Sequence, residues 1–584
     1  MGNKCFFSFS LVRDNEAEMM EKIAKDVLGL LNATPSRDFD GMVGLEAHLR
    51  EMMSLLQLDN EDEAMIVGIC GPAGIGKTTI ARALQSRLSH RFQLTCFVDN
   101  LRGSYHSSFD EYGLRLRLQE QFLSKVLNQN GMRISHLGAV RERLCDMKVL
   151  IILDDVNNLK QLEALADETT WFGPGSRIVV TTENKEILRQ HGITCTYEVG
   201  FPSREEALEI LCRYAFRQSY PHDGFQELAK SVTWLCGDLP LGLRVVGSSL
   251  RGKKEEEWEE VMRRLETVLD RDIEDVLRVS YDSLDENEQI LFLHIAVFFN
   301  YKDGDLVEAM FIDGDLDVKS GLKILVNRSL ISIDHFPESI VMHKLLQHMA
   351  RQAIHKQEPW KRQILMDAHE ICDVLETESG SRSVTGISFD TSTISDAVYI
   401  SKNAFKRMRN LQFLSIYETR SDRDVIVHVH EEMDFPHRLR LLHWEAYPGK
   451  YLPCTFRPEY LVELNLRENM LEKLWEGAQA LANLKKMDLN WSVYLKELPD
   501  LSNATKLERL TVSGCQSLVE LPSCIGKLHK LEELKMDLCN KLQVVPTLLN
   551  LASLAKVDLF GCRKLRRIPD FSRNIRQLLV SRIA

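Results

Sequence analysis

Residues 65–79 read MIVGICGPAGIGKTT, an apolar run followed by a glycine-rich loop and the start of a helix. Residues 71–78 fit the pattern G-x-x-x-x-G-K-[ST], in which glycines allow a tight turn that brings backbone N–H groups and a helix N-terminus onto a phosphate. A glycine-rich turn that binds nothing is the alternative. The strand pattern before the loop and the helix pattern after it favour a phosphate loop, so we predict that the chain binds a purine nucleotide.

Two side chains of the loop carry its chemistry. The Lys77 ammonium is predicted to reach the β- and γ-phosphates, and the Thr78 hydroxyl is predicted to ligate Mg²⁺. The predicted nucleotide contacts of the loop are Gly71, Gly74, Ile75, Gly76, Lys77, Thr78 and Thr79.

A second apolar run, KVLIILDD at residues 148–155, ends in two carboxylates. It predicts a central parallel strand, and open α/β sheets bind their ligands at the carboxyl ends of such strands. We expect Asp154 to share the Mg²⁺ with Thr78, and Asp155 to position an attacking water. Taken alone, the run fits a strand followed by an Asp-rich turn better. Downstream of a phosphate loop, the metal site is the stronger interpretation.

Composition narrows the class of protein. The 584 residues allow three or four domains, and 44% hydrophobic with 27% charged residues is typical of soluble globular chains. A net charge of −12 gives no electrostatic case for nucleic-acid binding. The thirteen cysteines are scattered and form no C-x-x-C pair. They favour reduced thiols in the cytoplasm or nucleus over disulfides or a zinc site.

Membrane signals are weak. No apolar run approaches the roughly 20 residues that cross a bilayer. The N-terminal sequence MGNKCF offers Gly2 and Cys5 for acylation, but Phe6 stands where the myristoylation pattern prefers Ser or Thr. We therefore expect no membrane association unless Gly2 and Cys5 are acylated.

Strand and helix signals alternate up to about residue 200, which predicts βαβ units and a parallel sheet. The predicted strands are 65–70, 94–98, 149–153, 177–181 and 195–199. Helical patterns then dominate at 204–218, 225–235, 255–269 and 285–299, and a hairpin pattern near 330–342 indicates a winged helix.

The predicted fold is thus α/β, with a P-loop NTPase parallel sheet followed by helical and winged-helix subdomains and a solenoid. The predicted order is an N-terminal stub and linker helix (1–36), a phosphate-loop domain (37–200), a helical subdomain (201–270), a winged-helix subdomain (271–365), a linker (366–383) and leucine-rich repeats (384–584).

The last third of the chain is periodic, which is the basis for the solenoid. The pattern L-x-x-L-x-L recurs with spacings of 23, 23, 24 and 23 residues, and an Asn, Ser or Cys follows each unit where leucine-rich repeats need a buried turn. A chance leucine-rich helical region would not hold this register. The units start at Leu461, Leu484, Leu507, Leu531 and Leu554, with the turn column Asn469, Ser492, Cys515, Cys539 and Cys562, and looser units start near 384, 411, 439 and 575.

The outward strand positions of these repeats alternate in sign. They are Glu463, Lys486, Arg509, Glu533 and Lys556. This pattern is ordinary for a solvated sheet and forms no single-sign field, so it identifies no partner and leaves charge-complementary binding open.

Further motifs surround the phosphate loop. They are FDGMVGLE at 39–46, GPGSRIVVTT at 173–182, GDLPL at 237–241, FLHIAVFF at 292–299 and Met342-His343. With the order of phosphate loop, helical segment, winged helix and repeats, these motifs resemble those of plant nucleotide-binding leucine-rich-repeat disease-resistance proteins of the Toll/interleukin-1 receptor (TIR) class.

The resemblance implies an intracellular immune receptor that works as an ADP/ATP-dependent switch. In that family's resting state the winged helix helps to hold ADP, and the repeats maintain the closed form and recognise a pathogen effector or a guarded host protein. Recognition leads to ATP exchange and oligomerisation. Carried over by motif, Val43 contacts the adenine, Pro240 packs on it, and His343 donates a hydrogen bond to the ADP β-phosphate.

Four departures qualify the resemblance. No TIR domain precedes residue 13, so no NAD hydrolase activity is expected, and the repeats stop at Ala584 directly after a strand, which indicates a C-terminally truncated array. Glu183 stands where many relatives outside the TIR class carry an arginine that senses the γ-phosphate. Lys344 replaces the aspartate of an M-H-D motif. Since lysine cannot accept a hydrogen bond, either Lys344 points to solvent or His343 is supported from elsewhere.

Two alternatives to the switch stay open. Asp155 permits slow ATP hydrolysis, but no arginine finger can be assigned, which leaves at most a weak P-loop ATPase. A chain without a TIR domain could also act as a helper or regulator that associates with full-length relatives. Bound ADP with negligible phosphate release would favour the switch.

Overall fold

The computed structural model describes residues 37–39, 41–99, 101, 111–129, 131–265, 269–312, 314, 316–335, 338–394, 397–419 and 426–580. The predicted stub and helix at 1–36, with Gly2 and Cys5, lie outside the described residues. The chain divides into two compact units. The first runs through Leu284 and also contains Ile324–Ile331 and His343–Leu345, and the second contains Asp285–Lys323, Ser332–Met342 and the chain from Leu346 onward.

A five-stranded parallel sheet forms the centre of the first unit. Its strands are β1 (Met65–Cys70), β2 (Leu94–Val98), β3 (Val149–Leu153), β4 (Arg177–Thr182) and β5 (Thr196–Glu198), in the spatial order β2-β3-β4-β1-β5. Every residue of β3 and β4 is buried, as expected for central strands covered by helices on both faces. All five predicted strands are confirmed, and β5 is one residue shorter at each end than predicted.

Helices between and after these strands complete the first unit. They are α1 (Leu45–Leu55), α2 (Lys77–Leu88), α3 (Glu111–Val126), α4 (Ala139–Leu144), α5 (Leu159–Leu165), α6 (Lys185–His191), α7 (Arg204–Phe216), α8 (Gln226–Leu235), α9 (Pro240–Leu250), α10 (Glu255–Leu265) and α11 (Arg271–Asp282). Ser203 and Glu206 form a capping box that starts α7. The rings of Phe216, Phe225 and Trp258, 5.2–5.6 Å apart, join α7 to α10. Helices α7, α8 and α10 match the helical patterns predicted at 204–218, 225–235 and 255–269.

The second unit opens with the winged-helix segment. Its elements are α12 (Glu286–His294), a π-helical turn (Ile295–Phe299), α13 (Gly304–Met310), α14 (Val318–Asn327), β6 (Ser332–His335), β7 (Glu338–Val341) and α15 (Lys344–His355). Strands β6 and β7 pair antiparallel, which confirms the predicted hairpin. The C-terminal residues of α14 and the first two of α15 are grouped with the first unit.

Ten parallel strands in chain order form the sheet of the second unit. They are β8 (Ile364–Leu365), β9 (Gly386–Asp390), β11 (Phe413–Tyr417), β13 (Leu441–Trp444), β14 (Glu463–Asn465), β15 (Lys486–Asp488), β16 (Arg509–Thr511), β17 (Glu533–Lys535), β18 (Lys556–Leu559) and β19 (Gln577–Val580), while β10 (Val398–Ile400) and β12 (Val427–Val429) pair separately. The aligned repeat leucines are buried in one continuous core, which confirms the leucine-rich-repeat solenoid. Residues 366–383, predicted to be a linker, contain α16 (Ala368–Thr377), whose Ile371 and Leu375 belong to that core.

The turn column of the repeats is a ladder of hydrogen bonds. Asn469 donates to the Ser492 hydroxyl at 2.6 Å, and the thiols of Cys515, Cys539 and Cys562 each donate to a backbone carbonyl of the preceding repeat at 3.0–3.3 Å. Burial raises the pKa of Cys515 to about 12. These thiols are therefore protonated structural donors, and every cysteine in the described part of the chain is a free thiol.

The outward strand positions of the repeats, which form their concave face, differ from the prediction at the first two aligned strands. Glu463 is only 6% exposed, and its carboxylate accepts a hydrogen bond from Lys302 at 2.5 Å. Burial also lowers the pKa of Lys486 on the next strand. The expectation of a solvated face is wrong at Glu463, because Lys302 of the winged-helix segment in the same unit contacts its carboxylate.

Within the described ranges, no helix combines the length and the apolar character that a membrane span requires.

Candidate functional site

The phosphate loop joins β1 to α2 at the carboxyl edge of the first unit's sheet. Gly71, Gly74 and Gly76 have φ angles of 152°, 77° and 109°, a region that glycine adopts most readily. A Cβ on Gly74 would lie 2.8 Å from the Cβ of Leu241, which belongs to the turn that starts α9. The loop therefore needs its glycines both for its shape and for close contact with that turn.

Lys77 is the first residue of α2 and is 8% exposed. Its Nζ donates to the carbonyls of Gly71 and Pro72, both at 2.9 Å, and lies 4.0 Å from a carboxylate oxygen of Glu183. The ammonium is thus held inside the curve of the loop. From there it can exchange carbonyl contacts for phosphate oxygens.

The predicted metal ligands meet at the same edge. The Thr78 hydroxyl donates to Asp154 at 3.0 Å, and the Thr181 hydroxyl donates to the same carboxylate at 2.6 Å. A hydroxyl and a carboxylate are the hard oxygen donors that Mg²⁺ uses together with nucleotide phosphates. The residues present therefore fit the metal.

Asp155, the predicted water-positioning residue, follows in the left-handed conformation with a φ of 59°. Its N–H donates to the Thr181 hydroxyl at 2.9 Å, and its side chain is half-buried. Thr181 therefore orders both aspartates. The GPGSRIVVTT motif at 173–182 contains this threonine, but its link to the Asp154-Asp155 pair was not predicted.

Glu183 ties the sheet edge to two later segments of the first unit. Its carboxylate accepts a hydrogen bond from the Ser280 hydroxyl at 2.5 Å, and its backbone carbonyl accepts one from the Ser329 hydroxyl at 3.2 Å. Because the same carboxylate lies 4.0 Å from the Nζ of Lys77, Glu183 connects these segments to the phosphate loop.

The two predicted adenine contacts lie on different segments. Val43 is half-buried and precedes Gly44, where a Cβ would come within 3.1 Å of the Glu206 carboxylate. Pro240 occupies the first turn of α9, where a missing N–H costs no hydrogen bond. The next residue, Leu241, donates its N–H to the carbonyl of Gly74 at 3.1 Å. The structure thus brings the Pro240 turn directly onto the phosphate loop.

His343 is held by main-chain groups. The Leu345 N–H donates to its Nδ1 at 3.2 Å, so Nε2 carries the proton and donates to the carbonyl of Gly237 at 2.7 Å. Its ring stacks on Phe201 with the centroids 5.1 Å apart. Burial lowers the pKa of the imidazole, which favours this neutral form. A bond from His343 to a phosphate requires the Gly237 contact to be exchanged, and that role stays a prediction.

The sequence left two alternatives: Lys344 points to solvent, or His343 is supported from elsewhere. The first is wrong, because Lys344 does not point to solvent. Its Nζ lies 2.7 Å from the centroid of a Trp234 ring, and burial lowers the pKa of the ammonium. The second alternative agrees with the structure, because the main-chain groups of Gly237 and Leu345 support His343.

Sequence reasoning missed the role of Arg177. This side chain is 1% exposed, and its guanidinium donates to five backbone carbonyls at 2.5–3.1 Å. Those carbonyls belong to Leu56, Gln57, Asn60, Glu63 and Ser176. Arg177 therefore fixes the segment that leads into β1 and the phosphate loop. The GPGSRIVVTT motif contains the arginine, but four of its partners lie more than a hundred residues earlier, and these contacts leave no signal in the sequence.

Three segments match known families. Residues 45–220 match the NB-ARC domain, residues 285–358 match the winged-helix domain of Roq1-like disease resistance proteins, and residues 460–479 match a leucine-rich repeat.

Similar curated proteins come from Arabidopsis thaliana. Disease resistance protein RML1B is 70% identical over 89% of this chain and 51% of its own length, and disease resistance protein RML1A is 64% identical over 97% of this chain and 57% of its own. Disease resistance protein RPS6 is 44% identical over 98% of this chain and 51% of its own length. The chain spans about half the length of the curated relatives it matches.

Proposed function

We propose that this chain, which belongs to the plant disease resistance proteins that combine a nucleotide-binding domain with leucine-rich repeats, is the nucleotide-dependent switch of an intracellular immune receptor. One observation carries the proposal. The phosphate loop, the Thr78–Asp154 pair and the Pro240 turn converge at one sheet edge, with Leu241 bonded to Gly74 at 3.1 Å.

ADP with Mg²⁺ is the resting ligand in this proposal. Backbone N–H groups of the loop and Lys77 bind the phosphates, Thr78 and Asp154 hold the metal, and the metal offsets charge between the phosphates. Val43 and Pro240 enclose the adenine. Each role follows from the matching motif. The contacts of Lys77, Thr78 and Asp154 and the position of the Pro240 turn beside the loop support the proposal.

Glu183 supports ADP over ATP. Its carboxylate lies 4.0 Å from the Lys77 ammonium and is held by Ser280, so a γ-phosphate next to Lys77 would meet a like charge. Like charges in a poorly hydrated site oppose binding. ATP binding would therefore require Glu183 to move or to be neutralised.

The repeats are proposed to serve recognition and autoinhibition. Within the second unit, the Lys302–Glu463 ion pair joins the winged-helix segment to the concave face of the repeats. A pathogen effector or a guarded host protein that competes for this face would break that contact. Oligomerisation on activation and association with full-length relatives belong to the same proposal.

A slow ATPase is the second candidate function. The observation that favours it is Asp155, which lies at the nucleotide edge and is fixed by Thr181. Measurement of phosphate release from bound ATP separates the two. Steady turnover favours the ATPase, and retained ADP without turnover favours the switch.

The direct test is the nucleotide content of the purified chain, followed by calorimetry with ADP and Mg²⁺. Lys77→Ala should weaken ADP binding by about ten-fold to a hundred-fold, because it removes a charge-assisted contact. Lys230→Ala is the matched control, since Lys230 is an exposed lysine of the same unit that pairs with Glu227. A folded Lys77→Ala protein that retains ADP like the control would contradict the proposal.

A further inference from the structure

His343 and Lys344 attach to one turn of the first unit. That turn, residues 234–241, joins α8 to α9. His343 donates to the carbonyl of Gly237 at 2.7 Å, and the Nζ of Lys344 lies 2.7 Å from the centroid of a Trp234 ring. Two consecutive side chains therefore contact two points of the same turn. We call these two contacts, His343–Gly237 and Lys344–Trp234, the clip.

The Lys344 ammonium has an unusual environment. Its Nζ is shielded from water and makes no hydrogen bond to any of the residues that the structure describes. The face of an indole is the strongest aromatic partner for a cation. Asp238, half-buried in the same turn with a φ of 63°, adds a favourable charge interaction with Lys344. The favourable interactions of the Lys344 ammonium therefore come from Trp234 and Asp238 of the turn.

The turn continues the contact to the phosphate loop. Leu241 donates to the carbonyl of Gly74, and a Cβ on Gly74 would press against Leu241 at 2.8 Å. A Cβ on Gly237 would lie 2.6 Å from the Nε2 of His343. Movement of His343 away from Gly237 would therefore release one side of a turn whose other side touches the loop.

We propose that Lys344 is a positioning residue, whose cation on Trp234 holds His343 on Gly237 and so holds the 234–241 turn against the phosphate loop. Lysine thereby does at this position what a hydrogen-bond acceptor would otherwise do, because it acts through the turn and not through the imidazole. The consequence for nucleotide retention rests on the proposed function, whereas the clip itself does not.

An aspartate at position 344 would not serve here. It would place a second carboxylate near Asp238 and a negative charge toward the negative face of the Trp234 ring. Arginine would keep a cation over the indole. The proposal therefore separates charge from size, because Lys344→Arg should preserve the clip and Lys344→Met should not.

Hydrogen–deuterium exchange of the full chain without added nucleotide tests the clip. The amide of Leu345 donates to Nδ1 of His343, so its exchange reports the position of the imidazole. Loss of a desolvated cation–π contact should speed exchange of this amide about ten-fold in Lys344→Met, towards the rate in His343→Ala. Gly237→Ala, which displaces the ring, should match His343→Ala.

The controls decide the interpretation. Lys230→Met removes an ammonium from α8, the helix that carries Trp234, and should leave exchange unchanged. Trp234→Leu alters a side chain that is 64% exposed and provides the same test should Lys344→Met fail to fold. Wild-type exchange in Lys344→Met, or equally fast exchange in Lys344→Met and Lys344→Arg, would overturn the proposal.

A second readout separates this inference from the proposed function. ADP should dissociate faster from Lys344→Met than from Lys344→Arg. If the wild-type chain binds no ADP, the proposed function fails while the exchange result still stands. If ADP binds normally and exchange is unchanged, only the role of Lys344 fails.

Discussion

The two large parallel sheets in the described part of the chain are assembled in opposite ways. In the first unit β1 pairs with β4 and β5, so that Met65 lies opposite Arg177 and Gly68 opposite Thr196. In the second unit each repeat strand pairs with the next along the chain, and Glu463 lies opposite Lys486. The first arrangement gathers distant residues at one edge, and the second spreads equivalent positions over a long face.

This difference predicts how far from the substituted residue a substitution destabilises the structure. A residue that connects distant segments, such as Arg177, should affect a whole sheet and its site. A repeat residue contacts only neighbouring repeats, so its loss should stay local, as in other solenoids. The following changes test that contrast, from the largest expected effect to the smallest.

Arg177→Met should cost about 4 kcal/mol in the free energy of unfolding of the first unit. The change removes a buried charge-assisted donor and leaves up to five carbonyls with fewer partners. Pulsed hydrogen exchange along a urea series, read on peptides of β1 and β4, measures the loss.

The matched control is Arg509→Met, on repeat strand β16, where the side chain is 43% exposed and pairs at 3.8 Å with Glu533. Its effect should be below about 0.5 kcal/mol. Equal losses in the two variants would remove the contrast between the sheets.

His294 should make the second unit sensitive to acid. Its ring is buried, Nδ1 lies 2.7 Å from the carbonyl of Ile290, and burial lowers its pKa from 6.5 to about 4. Between these two pKa values the unfolded chain binds a proton that the folded chain does not. The free energy of unfolding therefore rises with pH across this window, and the contribution of neutral His294 is fully present above about pH 6.5. The full effect is about 3 kcal/mol.

Pulsed hydrogen exchange along a urea series, carried out on the full chain between pH 4.5 and 7.5 and read on peptides that cover α12, measures this slope. His294→Gln should flatten it, whereas His529→Gln, which alters an exposed histidine of the repeats, should not. An unchanged slope in His294→Gln would assign the acid sensitivity to other groups.

Much of the fold could be predicted because its signals are local. The run at 149–153 and the glycine loop at 71–78 each carry their own pattern, and the repeats repeat theirs at a fixed spacing. Helix α16 was missed because its ten residues do not extend the repeat pattern. They join the core through Ile371 and Leu375, and Ala368, Cys372 and Val374 pack against it.

The candidate site was predictable only in part. The positions of Lys77, Thr78 and Asp154 follow from motif and strand edge, and the 3.0 Å contact between Thr78 and Asp154 agrees with them. The Lys344–Trp234 contact could not be predicted, because it joins residues 110 positions apart and neither belongs to a motif that names the other. The burial of Glu463 escaped prediction for the same reason, since Lys302 lies far away in sequence.

Apart from the control substitutions, the smallest expected effect lies in the turn column of the repeats. Cys539 is fully buried and donates to the carbonyl of Val512 at 3.1 Å, as Ser492 donates to that of Leu489 at 2.7 Å in its own repeat. Cys539→Ala should cost about 1–2 kcal/mol through a small cavity and a lost hydrogen bond, and Cys539→Ser should cost less because it keeps a donor. Exchange protection should fall on β16, β17 and β18 and stay unchanged on β14. Equal loss along all repeat strands would mean that the solenoid unfolds as one body and that the local character drawn from its strand order is wrong.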